Sequence, residues 1–218
     1  MKKIHLMVCV LLIAAAAIVT SVYYADLPVL IPIHWGWDGS ADSYGSREML
    51  YLSGPGLMSI IVVLGLCLPW LSPKRFGLAS FKTTYSYFIM VIVCLFGFLY
   101  AVMLHAVLTD ASDIQRTVYI GLFILLFLIG NPMGKVKRNF YIGIRTPWTL
   151  ASEQVWYATH RLCARVMVIS SLLGLIAVFS GASSWIMMTL ACSWIVIVTL
   201  FSLVYYKRLE KQGLLEAR

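Results

Sequence analysis

VMVISSLLGLIAVFSGASSWIMMTLACSWIVIVTLFSLVYY, residues 166–206, decides the fold. These 41 residues separate Arg165 from Lys207 and hold no charged side chain. A helix needs about 20 apolar residues to cross a bilayer core, so this run is too long for one span. The small polar stretch SGASS (180–184) is the expected hairpin turn between two. Working outward, four further apolar stretches fall at 4–24, 53–71, 83–108 and 118–133, which with 166–180 and 185–206 makes six.

Composition agrees. Of 218 residues 61% are hydrophobic and 12% charged, and the mean hydropathy is +0.88. A soluble domain of this size carries about twice that charge. The reading is an all-α membrane protein, one membrane domain over 1–218. The opening MKKIHLMVCVLLIAAAAIV resembles a signal peptide, but Ile4–Tyr23 is 20 residues, longer than the apolar core of such a leader. We therefore expect an uncleaved first helix. Cys9, Cys67, Cys94, Cys163 and Cys192 form no CxxC pair and no zinc-type spacing, so they read as apolar packing residues.

Charge bias sets the orientation. With both termini cytoplasmic, the inner segments hold Lys2, Lys3, Lys74, Arg75, Lys82, Lys135, Lys137, Arg138, Arg145, Arg161, Arg165, Lys207, Arg208, Lys211 and Arg218, 15 of the 17 basic residues. Only Arg47 and Arg116 fall outside, with Asp26, Asp38, Asp42, Glu48, Asp110 and Asp113. The net charge of +8 then follows from topology and from attraction to anionic headgroups, with no nucleic acid required.

Two connections exceed simple turns: an extracellular loop (25–52), which with the first helix pair makes up 1–71, and a cytoplasmic loop (134–165). In the first, Pro28 and Pro32 favour extended backbone along the membrane face. HWGWDGSADSYGS then reads as a chain of turns around Gly36, Gly39 and Gly45. Trp35, Trp37 and Tyr44 suit a membrane–water interface. His34, Asp38 and Asp42 recur at four-residue intervals and would share a face on a helix, but the glycines argue against that helix, so no metal site is expected.

In the second loop, Asn131–Pro132 and Gly134 end the fourth span. Gly143, between two isoleucines, marks a close backbone approach. Thr146 before Pro147 is pushed toward extended backbone. Thr149 then reads as a helix N-cap, with Glu153 in the first turn. Residues 152–165 read as an interfacial helix, with Val155, Trp156, Thr159, Leu162, Cys163 and Val166 on one face and Arg161 and Arg165 on another. On physical grounds Arg145, Trp148 and Trp156 act as interface anchors, or Arg145 reaches back to a polar group or helix C-terminus.

The residues of this loop resemble a known family. N-x-x-x-GIRTPWTL-x-x-E-x-VW-x-x-T-H-R, Asn139 through Arg161, with GN-x-M-x-K at Gly130–Lys135 before it, is similar to the signature of the SdpI family of bacterial integral membrane immunity and signalling proteins. That places an SdpI-like region at 118–206 and its motif loop at 131–165. The outer LP-x-x-IPIHWGWDGSADSYGSR is similar to the small uncharacterised domain that often accompanies it. The resemblance implies a cell-membrane protein, not an enzyme, that confers resistance to a secreted membrane-active toxin peptide and acts as a receptor holding a winged-helix autorepressor at the membrane. It needs no cofactor. The outer residues His34, Trp35, Trp37, Asp38, Asp42 and Tyr44 would meet the peptide. The motif residues Asn131, Asn139, Gly143, Arg145, Thr146, Pro147, Trp148, Thr149, Glu153, Trp156, His160 and Arg161 would form or brace the inner surface.

Two other readings compete. A small transporter or exporter normally carries charges or broken helices within its spans. Here no Asp, Glu, Lys or Arg lies inside one, and Pro55 and Pro69 interrupt the second span only near its ends. A membrane enzyme would need His34, Asp38 and Asp42, or Glu153 and His160 two turns apart on one helix, and neither set matches a catalytic motif. His5 and His105 stand at span ends, as interface residues do.

Overall fold

A computed structural model describes residues 1–36, 39–71, 78–109 and 114–215. Trp37, Asp38, Lys74, Arg75, Asp110, Asp113, Glu216 and Arg218 therefore lie outside the described residues. The described elements run α1 (Lys3–Tyr23), β1 (Leu30–Trp35), β2 (Ala41–Ser46), α2 (Met49–Leu71), α3 (Lys82–Thr109), α4 (Gln115–Gly130), α5 (Pro147–Ala151), α6 (Glu153–Phe179) and α7 (Ser184–Lys211). Among the described residues six helices are long and apolar enough to cross a membrane, and α5 is short. The protein is a multi-pass, all-α membrane protein with one small hairpin.

The chain forms two compact units, Met1–Cys67 with Ser86–Leu125, and Leu68–Tyr85 with Leu126–Arg218. In the first, the core gathers Cys9, Ala16, Ile31, Leu50, Met58 and Val93. A buried hydroxyl pair ties α1 to α3: Thr20 and Tyr100 share a hydrogen bond of 2.6 Å, one donating to the other, and the hydroxyl left with its proton free donates to Ala16 O. α2 carries a π-turn at Leu52–Gly56, where Pro55 lacks the N–H that an α-helical ladder needs.

The 25–52 loop departs from the expected chain of turns. β1 and β2 pair antiparallel, Leu30 opposite Ser46 and Trp35 opposite Ala41. The register slips at Ile33 and back at Asp42, two compensating bulges. The reversal is closed by Gly36 N to Ser40 O at 2.8 Å. Polar ADSYGS pairs because β1 supplies the apolar face, with Ile31 fully buried.

In the second unit α6 and α7 pack along their length, with Cys163, Met167, Met187, Ala191 and Val198 buried. The expected turn at 180–184 joins them. Gly181 takes φ +73°, and Ala182 N to Ala177 O with Gly181 N to Val178 O closes the last turn of α6, a cap that needs left-handed backbone. One expectation changes here. The interfacial helix of 152–165 and the fifth span are a single unbroken helix of 27 residues, because nothing between Ser152 and Phe179 stops it.

Candidate functional site

The 131–165 loop is built around three side chains that are fully buried. Asn139 is the first. Its Nδ2 donates to Lys137 O (2.8 Å) and Ile142 O (3.0 Å), and its Oδ1 accepts from Tyr141 N (2.7 Å) and Ile142 N (2.8 Å). An amide side chain has two donors and an acceptor with two lone pairs, so every position is used. Asn139 folds the chain 137–142 around itself.

His160 is the second. Its Nε2 accepts from Ile144 N at 3.0 Å, and its Nδ1 donates to Trp156 O at 2.8 Å. A backbone N–H can only donate and a carbonyl only accept, which fixes the neutral Nδ1–H tautomer. Gly143 precedes that contact with φ +110°, and a Cβ there would run into the His160 ring. The close approach expected at Gly143 is therefore to the imidazole.

Trp156 is the third. Its ring stacks on His160 with centroids 4.1 Å apart, and its Nε1 donates to Val136 O at 2.7 Å. Through Trp156 and His160, α6 grips the loop at both Val136 and Ile144. Trp156 is thus a buried brace and not an interface anchor.

The end of the motif shows a correction. Thr149 is not an N-cap. Thr146 caps α5, its Oγ1 accepting from Thr149 N at 3.2 Å with Pro147 at the first helical position. Ser152 caps α6 in turn, with Glu153 in the first turn as expected. The extended backbone that Pro147 imposes on Thr146 (ψ 158°) is what an N-cap requires. Thr149 is buried and donates to Ile144 O at 2.7 Å, while Thr146 meets Ser202 of α7 at 3.1 Å. Trp148 is half-buried. Arg145 is exposed and donates to Phe140 O within its own loop, so it does not reach back to the bundle. Asn131, Pro147, Glu153 and Arg161 are also exposed.

Glu153 and His160 do not come together: one faces solvent and the other is buried and fully engaged. On the expected helix face, Val155, Thr159 and Cys163 are buried, and His160 and Met167 join them. Thr159 Oγ1 is buried with no partner among the described residues.

On the hairpin, the bulge at Asp42 brings its Oδ1 to 2.5 Å from His34 Nδ1, with both side chains exposed. Asp38 lies outside the described residues, and among those described no three His, Cys, Asp or Glu group as a metal site. Tyr44 is exposed. Trp35 is half-buried and lines an apolar crevice of about 270 Å³ with Leu57, Phe96, Tyr100, Met103 and Ile114. Val29 and Leu30 are exposed at the start of the hairpin.

The base of the loop carries a clasp that sequence reasoning missed. Arg47 lies 4.4 Å from the Tyr24 ring centroid and donates to Tyr24 O (3.2 Å) and Leu27 O (3.3 Å). Tyr24 donates to Glu48 at 2.7 Å. Hydrogen bonds from Ser46 and Tyr24 hold the Glu48 carboxyl at about 2, well below the ordinary range. A lone basic residue in an acid-rich loop was the available signal.

Against known proteins, residues 135–205 match the SdpI/YfhL protein family, and residues 11–58 match a domain of unknown function (DUF1648). The chain is 28% identical over 208 residues to Immunity protein SdpI of Bacillus subtilis (strain 168), covering 93% of this chain and 96% of that protein. No solved structure matches.

Proposed function

We propose, from the match of residues 135–205 to the SdpI/YfhL family, that the protein is an SdpI-like integral membrane immunity protein, conferring resistance to a secreted membrane-active peptide. The observation that carries this reading is the similarity to Immunity protein SdpI, which runs through both long loops and all six spans. The protein acts without catalysis. Both termini and the motif loop are on the cytoplasmic side, and the hairpin is outside.

The loop architectures support a division of labour. Trp35 of the hairpin lines an apolar crevice, and Val29, Leu30 and Tyr44 are exposed, a set of apolar groups suited to an apolar peptide at the outer leaflet. The motif loop is held rigid by Asn139, Trp156 and His160, and leaves Arg145, Pro147, Glu153 and Arg161 exposed. We assign the buried motif residues to bracing, and Arg145, Pro147 and Glu153 to a cytoplasmic autorepressor.

The test is survival of a sensitive bacterium challenged with a membrane-active peptide from a producing strain, at matched membrane levels of each variant. The wild type raises the lethal dose. Trp35→Ala lowers protection if the hairpin carries the contact, whereas Arg145→Ala spares protection and abolishes any induction. A wild type that gives no protection overturns the reading.

A further inference from the structure

We propose that Arg161 and Arg165, beside the turn Met133–Lys135, form a headgroup site for an anionic phospholipid. Three observations converge on it. The first is direction. The lipid-facing stripe of α6 is marked by exposed Ile169, Leu172, Leu173, Ile176 and Phe179, the last 77% exposed. Arg165 is one turn before Ile169 and Arg161 one turn before that, so both continue the same stripe, and both are exposed.

The second is depth. α6 and α7 meet at the short turn after Phe179, which marks one end of both spans. Counting from Phe179 at 1.5 Å per residue, Arg165 lies ~21 Å and Arg161 ~27 Å along the axis, within a hydrocarbon core of ~30 Å. Ser202 on α7, counted from Ser184, lies at ~27 Å as well. Its contact with Thr146 puts α5 at the level of Arg161. Arg165 thus begins inside the apolar layer, and its guanidinium must run toward the phosphates. A charge at such depth requires a partner.

The third is that the protein offers none. Among the described residues neither Arg161, Arg165 nor Lys135 makes a side-chain hydrogen bond or ion pair. Glu153, the nearest acid along α6, lies two turns before Arg161. The turn Met133–Lys135 packs against Arg161, since a Cβ on Gly134 would stand 3.6 Å from its Cγ. Lys135 is exposed on that turn and adds a third cation. Stripe, depth and lack of an acid together select a lipid phosphate over a cytoplasmic protein. The two arginines fork around its oxygens, and the lysine favours a headgroup of net negative charge.

The experiment is native mass spectrometry of the full-length protein, released from micelles containing equal phosphatidylglycerol and phosphatidylcholine with matched acyl chains. The wild type retains phosphatidylglycerol in preference, by roughly 30-fold for two cations near the phosphate plane. Arg161→Gln with Arg165→Gln abolishes that preference. Lys2→Gln with Lys3→Gln, which removes equal charge at another helix end, leaves it intact. The wild-type comparison needs no variant, and Arg165→Gln alone halves the logarithm of the preference should the double variant not fold. Equal retention of the two lipids by the wild type overturns the proposal. So does a preference that survives the double variant or falls equally in the lysine variant. Displacement of the lipid by inorganic phosphate or by polyglutamate would instead show a free-anion or acidic-protein site, and also overturns it.

Discussion

Gly143→Ala tests the brace most sharply. The added Cβ meets the His160 ring, and φ +110° lies where an L side chain is disfavoured. The backbone conformation costs about 1–2 kcal/mol. Relief of the clash pushes the imidazole off Ile144 N, losing a hydrogen bond to a buried group for about 1–3 kcal/mol more. The expected destabilisation is therefore about 2–5 kcal/mol, measured by thermal unfolding in detergent, with amide exchange at Ile144 accelerated. His160→Ala alone removes the ring stacked on Trp156 and costs a similar amount, about 2–4 kcal/mol. In the double variant the clash is gone and only the φ penalty is added, so the pair is less than additive by about 1 kcal/mol or more. Strict additivity, or a neutral Gly143→Ala, would refute the proposed packing of Gly143 on His160.

Other perturbations have defined outcomes. Asn139→Leu empties the four hydrogen bonds that shape 137–142 and exposes the loop to protease, with a loss of about 2–4 kcal/mol in thermal unfolding. Trp156→Phe keeps the stack but frees Val136 O, costing about 1–2 kcal/mol and speeding amide exchange in the Met133–Val136 turn. The Glu48 carboxyl, held at about 2, supports the clasp in full above the ordinary carboxylate value, and that support fades as pH falls from ~4.5 toward 2. The protection of β1 and β2 amides, corrected for intrinsic exchange, should fall over that range in the wild type, and this fall should be smaller in Glu48→Gln.

Much of the fold was legible because hydropathy and charge bias act along the whole chain. The span between Arg165 and Lys207 divides at SGASS as its length required, and Gly181 supplies the turn. Gly143 was legible too, since two isoleucines around a glycine in a motif mark a backbone approached by something. What approached it was not legible. His160 stands 17 residues away on a helix, and pairing it with Glu153 by periodicity put an exposed acid beside a buried imidazole. Local signals were also in competition. Thr146–Pro147 and Ser152 each cap a helix, and Thr149 between them has the right chemistry but its hydroxyl turns back to Ile144 O. The hairpin was hidden because ADSYGS is polar and glycine-bearing. Only its partner LIPIHW supplies the apolar face, and pairing across the loop is a tertiary fact.

An immunity protein of this kind defends a membrane against a peptide that attacks it. The most direct measurement follows membrane potential in sensitive cells after addition of the membrane-active peptide. Cells expressing the wild type should hold their potential while cells with empty vector depolarise, and His160→Ala at matched membrane levels should protect less. Equal depolarisation with and without the wild-type protein, confirmed in the membrane, would contradict the account.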